Sequence, residues 1–344
     1  MSFCGGVMGD LIRCMHVTKV HRARGFGGLR RGFKAIDDIS LSIQAQSSYG
    51  LVGESGCGKT TLARAIMFLD PPTSGSIYFE DVALDSLKQS ELRNFRKRMQ
   101  IVFQDPNGAL DPKMSIYDSL SEGMINCNIQ KMQRDKKINN LLDMVGISKS
   151  YLKRFPHEFS GGQKQRIVIA RALSMDPDFL ILDEPVSNLD VSIQAQIINL
   201  LLDLKEQLKL TYLFISHDLN LVAYMCDRIG VMFKGRIVEE GSSDQIISSP
   251  AHPYTRRLIA SIPGSVQIAD LPDSNQLELE PDIVQSRLAE KLSLLGCPYY
   301  PYCPLADAEC AMSAPSLKEL SGGHVVSCYK FESGMRPLTL RRKT

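Results

Sequence analysis

The chain announces its elements through the spacing of its apolar positions. Residues 35 to 53 start with apolar and polar residues in alternation and end in the apolar run Tyr49-Gly50-Leu51-Val52-Gly53, which predicts a buried strand followed by glycine. Leu62, Ala65, Ile66 and Leu69 then recur at helical spacing, and Asp70-Pro71-Pro72 predicts the stop of that helix. Strand-like runs follow at Ser76 to Phe79, Gln100 to Phe103, Phe179 to Leu182, Tyr212 to Ile215 and Ile229 to Phe233. Residues 114 to 175 read as mostly helical, an insert in an α/β core. Ile197, Leu200, Leu201, Leu204 and Leu208 mark an amphipathic helix over 191 to 209 that feeds the next strand. Lys234-Gly235 between two β-rich runs predicts a two-residue hairpin. Strands alternating with helices imply a mainly parallel sheet covered by helices. No internal repeat is visible, so one such unit is present.

Composition narrows the class. Of 344 residues 44% are hydrophobic and 23% charged, too apolar for a disordered chain and enough for a large domain plus a smaller one. Forty basic against 38 acidic residues leave a net charge of +2, with no global attraction to nucleic acid. No window approaches the roughly 20 apolar residues of a membrane-spanning helix, and the N-terminal MSFCGGVMGDLIRC lacks the pattern of a secretory signal. These features argue against an integral membrane protein and a secreted disulfide scaffold. From about Pro263 to Lys291 acidic residues and prolines accumulate, which reads as a linker or a loosely packed lobe.

Gly53-Glu54-Ser55-Gly56-Cys57-Gly58-Lys59-Thr60 fits G-x-x-x-x-G-K-[ST], with a strand before it and a helix after it. Glycines let backbone N–H groups curl around a phosphate. Lys59 would reach the β- and γ-phosphates and the Thr60 hydroxyl would bind Mg²⁺. The next helix, with Thr61 in its first turn, would turn its positive end to the anion. Downstream, the apolar strand Phe179 to Leu182 runs into Asp183-Glu184. Beside a phosphate cradle, Asp183 would hold Mg²⁺ opposite Thr60, and Glu184 would polarise the water that attacks the γ-phosphate.

Phe159-Ser160-Gly161-Gly162-Gln163 lies between these motifs. It resembles the signature of ATP-binding cassette (ABC) ATPases, usually L-S-G-G-Q. The other motifs of that family stand in order: Gln104 matches its Q-loop, Ser187-Asn188-Leu189-Asp190 its D-loop and His217 its switch histidine. Phe159 departs from the usual leucine and Asn188 from the commoner alanine. Ser160 can cap the following helix, and Gly161 and Gly162 expose N–H groups at its positive end, a second anion site. The resemblance implies a head-to-tail dimer with ATP between one chain's cradle and the other's signature. Gln104 would join Thr60 and Asp183 around Mg²⁺, His217 would contact the γ-phosphate, and Asp190 would report across the interface. Phe33 and Phe26 are the candidates for the aromatic that stacks on adenine.

The chain's end resembles the C-terminal region of oligopeptide/dipeptide importer ATPases, some of which serve nickel. The likeness rests on His252-Pro253-Tyr254-Thr255 and on Cys297, Cys303, Cys310 and Cys328 in the spacing C-x5-C-x6-C-x17-C. Tyr302 stands where that family usually has arginine. Four thiolates could hold a 4Fe–4S cluster; zinc and plain thiols are the rivals. The expected organisation is a cassette over 1–262, with its helical insert at about 105–175, and a cysteine-bearing region over 263–344. The implied function is ATP hydrolysis that powers peptide import, on the cytoplasmic face of the cell membrane. The implied partners are a second cassette (a different chain before a second copy), two membrane permease subunits and an extracytoplasmic binding protein. A nickel or small-solute importer is the alternative in the same branch. A soluble ABC ATPase acting on nucleic acid or ribosomes is the alternative of another class; such proteins usually carry a long coiled coil or two cassettes, and neither is present.

Overall fold

The computed structural model describes residues 9–22, 32–261, 281–289 and 295–332. Along the chain run β1 (Asp10–Arg22), β2 (Gly32–Gln44), β3 (Ser48–Val52), α1 (Lys59–Ile66), β4 (Ser74–Phe79) and β5 (Val82–Ala83). Next come α2 (Gln89–Arg98), β6 (Met99–Val102), α3 (Pro106–Ala109), α4 (Ile116–Asn126), α5 (Lys131–Val145), α6 (Gly161–Leu173), β7 (Phe179–Asp183) and α7 (Val191–Leu208). The order continues with β8 (Thr211–Ser216), α8 (Leu219–Met225), β9 (Arg228–Phe233), β10 (Arg236–Ser242), α9 (Ser243–Ser248) and α10 (Pro253–Ala260). It closes with α11 (Pro281–Ala289), α12 (Ala308–Met312), β11 (Lys318–Ser321), β12 (His324–Val326) and α13 (Tyr329–Glu332). The chain packs as two compact units, each built from separated stretches of sequence.

The first unit comprises Met1–Val17, Ser40–Ser48 and Thr60–Ile215. Its parallel strands β6, β7 and β8 run in register, with Ile101 opposite Ile181 and Ile181 opposite Leu213. All five residues of β7 and all six of β8 are buried, as expected of parallel strands covered on both faces. Helix α6 buries Ile167, Val168, Ile169, Ala172 and Leu173, and α7 buries Ile197, Ile198, Leu200, Leu201 and Leu204. The helical stretch 114–175 holds α4, α5 and α6.

The second unit comprises Thr18–Ile39, Tyr49–Lys59 and Ser216–Thr344. Its strands lie in the order β11-β12-β10-β9-β3. β3 and β9 are parallel, while β9, β10, β12 and β11 are joined antiparallel. Lys234 (φ 43°) and Gly235 (φ 83°) turn the β9–β10 hairpin with both central residues left-handed, the geometry that matches strand twist. The fold is thus α/β, with parallel strands in each unit, an antiparallel part in the second and a helical segment in the first.

Two expectations change. The helix after the phosphate loop ends at Ile66 rather than at the prolines: Phe68 turns to φ 54°, and the N–H groups of Leu69 and Asp70 both donate to the Arg64 carbonyl. Such a left-handed exit satisfies the orphan carbonyl and leaves Leu69 outside the helix and exposed. Part of the expected linker is ordered, since 281–289 form α11 and Arg287 Nη1 donates to the Cys303 carbonyl at 2.8 Å. Strand β1 carries no clean alternation, because His16 at φ 51° kinks it between Cys14 and Val17. The remaining acidic residues of the linker except Asp282, and Phe26, lie outside the described residues.

Candidate active site

The phosphate loop is a product of crowding. A Cβ on Gly53 would stand 2.2 Å from the Met232 carbonyl oxygen, and one on Gly58, at φ 113°, would stand 2.3 Å from the Ala35 carbonyl oxygen. No larger residue fits either place. Gly56, at φ 80°, faces open space and needs only the backbone freedom. The loop is fastened by the β9–β10 turn, where Gly235 N–H donates to the Cys57 carbonyl at 2.8 Å and Asp37 N–H to the Gly235 carbonyl at 2.9 Å. Lys59 is buried, and its Nζ donates to the carbonyls of Gly53 (2.7 Å) and Glu54 (3.0 Å). Burial pushes the Cys57 thiol above its ordinary pKa, against the opposing pull of Lys59. Glu54, Ser55 and Thr60 are exposed and Thr61 half-buried.

In the first unit two pairs assemble. Thr60 Oγ1 donates to Asp183 Oδ1 at 3.3 Å, with Asp183 buried at the end of β7. Gln104 Nε2 donates to Glu184 Oε2 at 3.0 Å and to Ser187 Oγ at 3.4 Å. Glu184 adopts φ 49°, a left-handed conformation that non-glycine residues seldom take. Its N–H donates to the Ile215 carbonyl at 2.9 Å, so the strand end fixes the turn that aims its carboxylate at Gln104. The Thr60–Asp183 pair is what a Mg²⁺ ion needs for one hydroxyl and one carboxylate ligand, and the residues present suit that ion. Gln104 is thus bonded to the residue that follows Asp183.

Ser160 caps α6: its Oγ accepts from Gln163 N–H at 3.4 Å while its own N–H donates to Gln163 Oε1 at 3.1 Å. This reciprocal box leaves Gly161 exposed at the helix start. A Cβ on Gly161 would touch Leu189 at 3.4 Å, and one on Gly162 would come within 2.6 Å of Ile193 Cγ2. The second signature glycine therefore lets α6 pack on α7, the helix that Asp190 begins. Asp190 is exposed there, and His217 is exposed between β8 and α8. Phe33, in β2, is 65% exposed.

The four C-terminal cysteines line one cavity together with His252 and Tyr299. Burial pushes the Cys297 thiol up to about 11 and that of Cys303 up to about 12, so without a metal both stay protonated at neutral pH. Among the described residues no group of three or more His, Cys, Asp or Glu converges closely enough for a single metal ion. Sequence reasoning missed Tyr254, whose Oη accepts a hydrogen bond from Glu54 N–H at 3.0 Å.

Known proteins resemble the chain over most of its length. A family model described as ABC transporter matches residues 36–187, and one described as Oligopeptide/dipeptide transporter, C-terminal region, matches residues 238–310. A putative peptide import ATP-binding protein of Brucella ovis is 44% identical over 302 residues, 86% of this chain and 92% of that protein. The oligopeptide transport ATP-binding protein OppF of Streptococcus mutans is 51% identical over 232 residues, 67% of this chain and 75% of that protein. Among solved structures, cbiO1 of Clostridium perfringens, part of the ABC transporter complex cbiONQ, superposes with a TM-score of 0.61 at 28% identity, covering 69% of this chain and 90% of that one. The ATP-binding cassette MJ0796, a dimer bound to ADP and Pi in a post-hydrolysis state, gives 0.59 at 27% identity, covering 67% and 98%. The chain belongs to the ABC transporter ATPases, in the branch that carries an oligopeptide/dipeptide transporter C-terminal region.

Proposed function

We propose that this chain binds Mg²⁺-ATP and hydrolyses it to drive uptake of di- and oligopeptides. In this reading Gly53 to Thr61 cradle the phosphates, Lys59 neutralises them, and Thr60 with Asp183 holds Mg²⁺. Glu184 is the general base and Gln104 orients it. The observation that carries the reading is the Gln104–Glu184 contact at 3.0 Å, immediately after the aspartate that meets Thr60. A carboxylate held by an amide, next to a metal-binding pair, is equipped to take a proton from water attacking the γ-phosphate. Ser160, Gly161, Gly162 and Gln163 would complete the site of a neighbouring cassette, while His217 would contact the γ-phosphate and the attacking water, Asp190 would report across the interface and Phe33 would lie against adenine.

The expected assembly has a second cassette, a different chain before a second copy, and two permease subunits with an extracytoplasmic binding protein. The chain would lie peripherally on the cytoplasmic face of the cell membrane; among the described residues no helix is long and apolar enough to cross it. The cassette would occupy 1–262 and the cysteine region 263–344, with Cys297, Cys303, Cys310 and Cys328 holding a structural 4Fe–4S cluster.

The functional test is uptake of a labelled dipeptide and a labelled oligopeptide in cells deleted for the gene. Complementation by the wild type, and not by Lys59→Ala, supports the reading. Loss of nickel uptake with peptide uptake intact would replace peptides by nickel, and no change in either would refute import. Protein purified anaerobically should contain iron and acid-labile sulfide; absence of both would refute the cluster.

A further inference from the structure

The phosphate loop is held from a direction the cassette motifs do not predict. Glu54 follows the first glycine of the loop, and its backbone N–H donates to Tyr254 Oη rather than pointing freely toward a ligand. Tyr254 lies 200 positions downstream at the start of α10 and has no exposed surface. Its ring is packed between Phe233, 4.6 Å away between centroids, and Tyr299, 5.5 Å away. A tyrosine so enclosed has lost its rotational freedom, so its hydroxyl is a fixed acceptor.

The turn beneath Tyr254 is equally constrained. His252 Nδ1 accepts from Tyr254 N–H at 3.0 Å. The fully buried Glu239 carboxylate accepts from His252 N–H at 2.8 Å and Ala251 N–H at 2.7 Å, and its Oε1 also meets His324 Nε2 at 2.8 Å. A continuous run of short hydrogen bonds thus extends from β12 through β10 and the His252-Pro253-Tyr254 turn to the phosphate loop. On the other side of that loop, Gly235 N–H grips the Cys57 carbonyl.

We propose that Tyr254 is a positioning residue for nucleotide binding, and that Glu239 positions Tyr254. The hydroxyl takes no part in bond making or breaking. It orients the first peptide unit after Gly53, and with Gly235 at Cys57 it sets the curl that presents the remaining N–H groups to phosphate. The C-terminal region thereby acts on the ATP site of its own chain. This rests on the reading of Gly53 to Thr60 as the phosphate cradle.

The test compares wild type, Tyr254→Phe, Glu239→Gln and Tyr302→Phe in the full chain within its assembled complex. Binding of a fluorescent N-methylanthraniloyl ADP and ATP is measured, along with steady-state ATP hydrolysis. Tyr254→Phe removes one hydroxyl and keeps the ring packing. It should weaken both nucleotides and raise KM about fivefold, the worth of one net hydrogen bond, with kcat within about twofold. Glu239→Gln should move the same quantities in the same direction. Tyr302→Phe, in the same aromatic cluster but bonded to Lys234, should leave them unchanged. A merely structural role would lower the melting temperature of Tyr254→Phe and leave nucleotide affinity at the wild-type value, which would overturn the inference. Failure of the wild type to bind either nucleotide would overturn the phosphate-cradle reading itself.

Discussion

Alanine at Gly58 and at Gly56 should have very different consequences, although both glycines have positive φ. Gly56, at φ 80°, has nothing within 4 Å of a Cβ, so Gly56→Ala carries only the left-handed penalty of about 1–2 kcal/mol. Gly58, at φ 113°, lies further from the left-handed well, and its Cβ would stand 2.3 Å from the Ala35 carbonyl oxygen and 2.8 Å from the Met232 methyl. The methyl can swing aside; the carbonyl belongs to β2 and cannot. An ordinary C···O approach is about 3.3 Å, so loop and strand must part by roughly 1 Å. Backbone strain and this displacement together cost about 3–5 kcal/mol. Displacing the cradle by that distance should also lower phosphate affinity on the order of 100-fold. Urea unfolding midpoints and titration with a fluorescent ADP measure both effects. Equal midpoints and equal affinities for the two variants would refute the argument from crowding.

Other consequences follow from the same geometry. Gly162→Ala places a methyl 2.6 Å from Ile193 Cγ2, a β-branched group with little freedom, and should cost about 1–3 kcal/mol in thermal unfolding, partly relieved in the Ile193→Ala background; wild-type stability would show that α6 and α7 do not meet there. Burial holds the His252 imidazole at about 4, below its ordinary 6.5, so between these values the unfolded chain binds the extra proton and the folded chain does not. Stability is therefore full above pH 6.5 and falls with pH, by about 2 kcal/mol between pH 7 and pH 5. His252→Asn, which keeps an acceptor for Tyr254 N–H, should flatten that slope in urea titrations, and an unchanged slope would place the proton elsewhere.

Much of the site could be read in advance because its chemistry is local. The phosphate loop, the Asp183-Glu184 pair and the Ser160 cap each occupy a few consecutive residues, and backbone geometry there follows from residue type. What stayed hidden depends on residues far apart in sequence. Nothing near Glu54 signals that its N–H is taken by Tyr254, and nothing near Gly162 shows that Ile193 excludes a side chain. The early end of α1 escaped notice because Phe68, a residue with no preference for positive φ, makes the left-handed exit in place of glycine. β1 was missed for a related reason: the kink at His16 breaks the alternation by which a strand is known. Gln104, expected among both the catalytic residues and the Mg²⁺ ligands, meets the general-base candidate Glu184, a contact of side-chain direction that spacing does not carry.

The measurement that bears most directly on the account is ATP turnover by the assembled complex carrying Glu184→Gln. The amide keeps the size of Glu184 and removes its capacity to take a proton. The account predicts hydrolysis lower by about 10²–10⁴-fold with ATP still bound; turnover within twofold of the wild type would contradict it.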